Sequence, residues 1–140
     1  MEHTEIQSYM LDKDITPRNA EGEPHGHWKA HHQNGKLSEE GQYVNGLKQG
    51  VWAHYDSNGE IICKGQYVNG LKQGVWADYD STGEIIYKDT YVNGIVNGYS
   101  EIYLDSKIYW EGYYKNTELS GYWKKYDNKG NFEYAEFFAQ

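Results

Sequence analysis

Residues 41–64 read GQYVNGLKQGVWAHYDSNGEIICK, and residues 65–88 read GQYVNGLKQGVWADYDSTGEIIYK. The two segments agree at 21 of 24 positions and differ only at His54/Asp78, Asn58/Thr82 and Cys63/Tyr87. Self-similarity at a short fixed period restricts a chain to repeat architectures, in which each unit buries its apolar surface against its neighbours. A third copy runs through 89–111, one residue shorter in its turn, and a fourth through 112–136, one residue longer at its end. A half-copy at 26–40 precedes them. The repeat domain is therefore expected over 22–140, with 1–21 left as an N-terminal tail or cap.

Each unit carries two turn signals. One is Asp-Ser-Asn-Gly at 56–59, echoed at 33–35, 81–83 and 128–130. The other is Asn-Gly at 45–46, 69–70 and 93–94, replaced by Asn116-Thr117 in the last copy. Glycine in these slots permits the positive φ that tight hairpin turns require. Between the turns lie short runs rich in Val, Ile, Tyr and Trp, which read as strands, two per unit. A helix is the poorer alternative, because no 3.6-residue apolar period survives glycines at this spacing. The expected fold is all-β: an antiparallel meander of about ten short strands built from 24-residue hairpin repeats. The composition agrees, with 15 Tyr and 5 Trp against 3 Phe, and 16 Gly. Tyr and Trp suit half-buried pleated surfaces.

A type I turn with a glycine bulge at 56–59 places Asp56 opposite Glu60, Tyr55 opposite Ile61 and Ala53 opposite Cys63. Alternation then puts Val51, Ala53, Tyr55, Ile61, Cys63 and Tyr67 on one face, which is almost wholly apolar and is expected to pack. Like residues would stack along it in two ladders, Tyr55/Tyr79/Tyr103/Tyr126 and Tyr43/Tyr67/Tyr91/Tyr114. In the half-copy the same slots hold His27, Lys29 and His31, with Glu39 further on, polar enough for a capping strand. The other face carries Trp52, His54, Asp56, Glu60, Ile62, Lys64 and Gln66.

The unit G-x-W-x-x-Y-x-x-x-G followed by Y-x-N-G, carried by Gly50, Trp52, Tyr55, Gly59, Tyr67, Asn69 and Gly70, resembles the MORN repeat, in particular its bacterial variant. The third copy departs from it at Ser100, where Trp is expected, and the fourth at Thr117, where Gly is expected. The resemblance implies that the meander is an extended, twisted, single-layer antiparallel sheet. Bacterial MORN-variant proteins are often labelled antitoxin or immunity partners of secreted toxins, and eukaryotic MORN arrays are discussed as membrane-adjacent scaffolds and dimerisation modules.

Catalytic chemistry is not expected. Asp56/Glu60 and Asp80/Glu84 recur as carboxylate pairs, but acid–base work needs such pairs in a concave, pKa-shifting pocket, and turn-flanking acids are usually solvated. No G-x-S-x-G motif, phosphate-cradling glycine loop or Cys–His pairing occurs, and Cys63 aligns with Tyr87 as a packing residue. His25, His27, His31 and His32 cluster near the start, with His54 further on, yet no metal-ligand spacing accompanies them. Solvated capping histidines or a pH-responsive edge account for them better, so neither metal nor cofactor is expected.

The formal net charge is −8, from 21 acidic and 13 basic residues, with no basic run longer than Lys124-Lys125. This argues against nucleic acid and against electrostatic attachment to lipid, and it favours a basic protein partner. One cysteine, no apolar leader and no 18-residue apolar stretch read as a cytoplasmic chain. Trp28, Trp52, Trp76 and Trp123 share one repeated slot. They read either as a protein-binding face or as a second layer in which each Trp covers the Gly of the adjacent strand. On the first reading the partner-binding residues are Trp52, His54, Asp56, Glu60, Trp76, Asp78, Asp80, Glu84 and Trp123. The expected function is a non-catalytic binding protein, an immunity or antitoxin protein that occludes a basic toxin domain. The alternative is a structural scaffold or dimerisation module. The aromatic 132–138 segment would serve as an edge for homodimers under either.

Overall fold

The computed structural model describes residues 17–139. They form one ten-stranded open sheet whose spatial order follows the sequence order, every neighbouring pair antiparallel. The strands are β1 (Gly26–His31), β2 (Leu37–Val44), β3 (Leu47–Tyr55), β4 (Ile61–Val68), β5 (Leu71–Tyr79), β6 (Ile85–Val92), β7 (Ile95–Leu104), β8 (Lys107–Lys115), β9 (Glu118–Tyr126) and β10 (Phe132–Phe138). No helix occurs among the described residues. The tail or cap read over 1–21 lies outside the described residues up to residue 16. Residues 17–25 form a small loop closed by a bridge between Arg18 and Pro24, with Asn19 Oδ1 accepting from the amides of Glu21 and Glu23.

The turns follow the local chemistry. At 56–60 the Asp56 amide donates to the Glu60 carbonyl, and the Gly59 amide donates to the Asp56 carbonyl. Gly59 stands at φ +88°. This is the type I turn with a glycine bulge, and 80–84 and 127–131 repeat it. The Asn-Gly turns have two consecutive positive φ values, +48° and +85° at Asn45-Gly46, as a type I′ turn requires. The shortened third copy replaces its bulged turn with the two-residue Asp105-Ser106, also at positive φ.

Thr117 takes the same left-handed conformation at φ +74°, where its equivalents are glycines. A β-branched residue there is strained. Relief of the strain outweighs the extra chain entropy of glycine. Thr117→Gly is therefore expected to raise stability by about 1 kcal/mol, read from urea denaturation midpoints.

The faces differ from the expected ones. Tyr55 does pair with Ile61, but His54 then pairs with Cys63 and Ala53 with Lys64, because the register slips between His54 and Tyr55. The slip leaves Ile62 as an extra residue and inverts the parity of the rest of β4. Cys63 and Tyr67 thereby join the face of Trp52, while Val51, Ala53 and Tyr55 stay on the other. The packing side is the tryptophan side: Trp52, Trp76 and Trp123 are 0%, 1% and 3% exposed, against 60% for Val51. The expected Tyr43/Tyr67/Tyr91/Tyr114 ladder belongs to this buried face, and the capping His27 lies on the open one, beside Val51 and Tyr55.

The tryptophans form the core because of the glycines beside them. Trp52 lies on Gly41, Trp76 on Gly65 and Trp123 on Gly112, so close that an added Cβ would fall 2.1–2.3 Å from the indole. Each indole Nε1 also donates 3.0 Å to a backbone carbonyl, of Gln42, Gln66 and Tyr113 respectively. A single-layer sheet thus obtains a dry core from its own side chains folded flat over bare backbone. In the third unit the solution changes. Ser100 stands in the Trp slot and Asp89 in the Gly slot, and their side chains hydrogen-bond at 2.7 Å.

Candidate functional site

The tryptophan face is a continuous edge-to-face ladder. Trp28, Tyr43, Trp52, Tyr67, Trp76 and Tyr91 follow one another with ring centroids 5.0–6.4 Å apart. Such contacts add a few tenths to about 1.5 kcal/mol each beyond area burial. Lys48 places its ammonium 4.6 Å from the Trp52 ring and 5.1 Å from Tyr67. Lys72 repeats this at 4.5 Å from Trp76 and 5.0 Å from Tyr91. Ser100 breaks the ladder, which resumes with Tyr114 and Trp123 at 5.1 Å.

The structure separates the nine residues that the sequence groups as partner-binding. Trp52, Trp76 and Trp123 are buried and lie over their neighbouring glycines, so the glycine cover that the sequence offers as one reading of this slot is present; the ammoniums of Lys48 and Lys72 close over the Trp52 and Trp76 rings, while Trp123 lines a cavity. Asp56 and Asp80 sit in the bulged turns, where their Oδ1 atoms accept backbone amides two and four residues on. Hydrogen bonds from the Thr82 hydroxyl and amide hold the Asp80 carboxyl below its ordinary range. Glu60 and Glu84 are exposed beside them. His54 and Asp78 lie on the tryptophan face, both opposite Cys63. Burial pushes the Asp78 carboxyl and the Cys63 thiol up. A raised thiol is a poor nucleophile.

His54 lies between Trp52 and Trp76, 6.4 Å from each ring centre, with Nδ1 3.3 Å from the Glu39 carboxylate. Burial holds its pKa below the ordinary imidazole range; Glu39 opposes this, and Lys48 and Lys72 reinforce it. The unfolded chain therefore protonates this residue first. The stability contributed by neutral His54 is full above the ordinary value and is lost as pH falls through it. The thermal midpoint is expected to drop between about pH 7.5 and about pH 5.5, and His54→Gln should flatten part of that drop. An equal slope in the variant would sink the assignment.

The N-terminal histidines have structural partners. His25 Nδ1 accepts the Asn45 amide at 3.0 Å, the role that Gln49 and Gln73 play for Asn69 and Asn93. His27 meets Glu40 at 3.0 Å, and His32 Nε2 donates to the Tyr55 carbonyl at 2.9 Å. No group of metal-ligating side chains occurs among the described residues.

The open face was not singled out from sequence. Along it Val51, Val75, Tyr99, Tyr113, Tyr122 and Phe137 are all exposed. Tyr99 meets Tyr113 at 5.5 Å and Tyr122 meets Phe137 at 4.9 Å. Beside them Glu111 accepts both the Tyr99 hydroxyl at 2.8 Å and the Tyr126 hydroxyl at 2.9 Å. Burial, with Glu101 and Glu111 nearby, pushes Tyr103 up to about 12. The available signal was the drift of repeated slots from Val51 and Val75 to Tyr99 and Tyr122, and from Gln66 and Thr90 to Tyr113. An adaptable aromatic surface with a few fixed polar groups suits recognition of another macromolecule better than chemistry on a small molecule.

No curated protein matches the chain. Residues 24–45, 48–69 and 72–93 match the family described as the MORN repeat variant. Three consecutive units of the sheet thus match the MORN repeat variant, and the hairpins that follow carry their Tyr, Trp and turn positions onward with the Ser100 and Thr117 departures.

Proposed function

We propose that this chain is a non-catalytic protein-binding repeat sheet that occludes a protein partner, in the manner of an immunity or antitoxin protein. The observation that carries the reading is the asymmetry of the sheet. All its tryptophan cover is spent on one face, and the other keeps a row of exposed Val, Tyr and Phe with no second layer among the described residues. Contiguous exposed aromatics on a rigid scaffold are characteristic of protein interfaces. The net charge of −8 supports a basic partner, such as a cationic toxin domain, bound in a salt-dependent way. Soluble action in the cytoplasm belongs to the same reading.

Affinity capture from the source organism, at low and at high salt, tests it. The full chain should retain one basic protein that a Tyr113→Asp, Tyr122→Asp variant loses. Capture that is indifferent to those substitutions would move the interface elsewhere, and capture of nothing would remove the occluding role.

One observation favours self-association as a second reading. Among the described residues β10 pairs only with β9 and leaves its other side open, with Phe132, Tyr134 and Phe137 exposed. Unprotected edges template further strands. Sedimentation across a wide concentration range should then show a dimer that Ala135→Pro dissolves; a monomer throughout removes this reading.

A further inference from the structure

The tryptophan face has an opening near its C-terminal end. There Trp110, Tyr114, Leu119, Trp123, Glu136 and Phe138 surround a cavity of about 280 Å³. Its origin can be traced slot by slot. In the second and third hairpins, the residue that pairs with the ladder tyrosine is a lysine, Lys48 opposite Tyr43 and Lys72 opposite Tyr67. Each lysine lays its ammonium over the tryptophan of its own strand and the tyrosine of the next. Each also has a carboxylate close by: Glu39 lies 3.9 Å from Lys48, and Lys72 pulls on Asp78. In the last hairpins that slot is Leu119, opposite Tyr114. The two rings are still in place, as Trp123 and as Phe138, which pairs with Gly121 as Tyr67 pairs with Gly50. A carboxylate is present too, on Glu136 opposite Trp123. Among the described residues Glu136 makes no ion pair. The cage that two earlier units fill with their own ammonium is here built without one.

We propose that this cavity is a binding site for the side chain of a lysine supplied by a protein partner. The aromatic faces attract a cation, Leu119 and Ile102 accommodate the methylene stem, and Glu136 faces the charge at the rim. An acidic carboxylate in an otherwise apolar aromatic lining discriminates for the cation over a neutral chain of the same shape. The inference rests on the protein-binding reading for its occupant, but the site's chemistry can be tested without any partner.

The probe is Nα-acetyl-lysine N-methylamide, titrated into the full chain while the indole N–H signals are followed by NMR. Those of Trp110 and Trp123 should shift, and those of Trp28, Trp52 and Trp76 should not. The norleucine analogue, which keeps the stem and lacks the ammonium, should bind roughly tenfold more weakly. Glu136→Gln should weaken the lysine probe several-fold and leave the norleucine analogue unchanged. Leu119→Lys restores an arrangement that the chain already uses twice, so it should fold and abolish the shifts. Equal binding of the two probes, shifts that persist in Leu119→Lys, or no shift up to tens of millimolar would each overturn the proposal. A site that binds lysine in a chain that captures no partner would overturn the protein-binding reading and not the cage.

Discussion

Exchanging Trp76 for serine is expected to destabilise the sheet by about 3–5 kcal/mol, the range for removing a large buried aromatic. Gly65→Asp alone should be about as damaging, because its side chain must enter space that the indole already occupies, 2.2 Å from the glycine's own missing Cβ. The two changes together should lose less than their sum, by about 2 kcal/mol. The third unit already contains the product of this double exchange: Ser100 hydrogen-bonds Asp89 at 2.7 Å in the same pair of slots, and Ser100 is fully buried. A serine beside glycine leaves a cavity, and an aspartate beneath tryptophan leaves a clash and a buried charge. Only the matched pair satisfies both volume and hydrogen bonding. Urea denaturation of the four proteins gives the coupling directly. A coupling near zero would mean that the two pairs are not alternative solutions to one packing problem.

Gly112→Ala is the second large effect, and its sign is the informative part. Gly112 does not adopt a positive φ, so backbone strain is not at issue. In an unobstructed strand, replacing glycine by alanine stabilises by about 0.4–1 kcal/mol through the entropy of the unfolded chain. Here the new methyl would stand 2.3 Å from Trp123. That ring cannot yield easily, since it is 3% exposed, bonded through Nε1 to the Tyr113 carbonyl and packed edge-to-face on Tyr114. A loss of about 2–3 kcal/mol is expected, with the indole displaced. Tryptophan emission should shift to longer wavelength in the folded variant. A variant as stable as the parent would show that Trp123 has another place to go. Because the sheet is built by pairing of consecutive strands, the damage should concentrate in the C-terminal units, as hydrogen exchange would reveal.

How far the candidate sites were legible follows from the same physics. The Trp52, Trp76 and Trp123 slot is visible in the repeat, and so is the idea of a tryptophan lying over a neighbouring glycine. Whether those rings face a partner or the sheet depends on the Gly41, Gly65 and Gly112 backbone passing directly beneath them, which no local pattern reports. The lysine-sized cavity is less legible still. Its parts, at positions 102, 110, 114, 119, 123, 136 and 138, come from four different strands, and they converge only through the register of β7, β8, β9 and β10.

The 24-residue period, the places of the turns, the count of about ten strands and their antiparallel order are all legible in the amino-acid sequence alone. All of these depend on residues a few positions apart: Asn-Gly sets a type I′ turn and Asp-Ser-Asn-Gly a bulged one, whatever lies elsewhere. Which face is the core is settled only in the assembled sheet. One extra residue, Ile62, inverts the parity of β4 and carries Cys63 and Tyr67 across to the tryptophans, so alternation counted through the turn fails beyond it. The bulge is held by pairing with β3 and β5 and by the tryptophan on Gly65, contacts that exist only once the neighbouring hairpins have assembled.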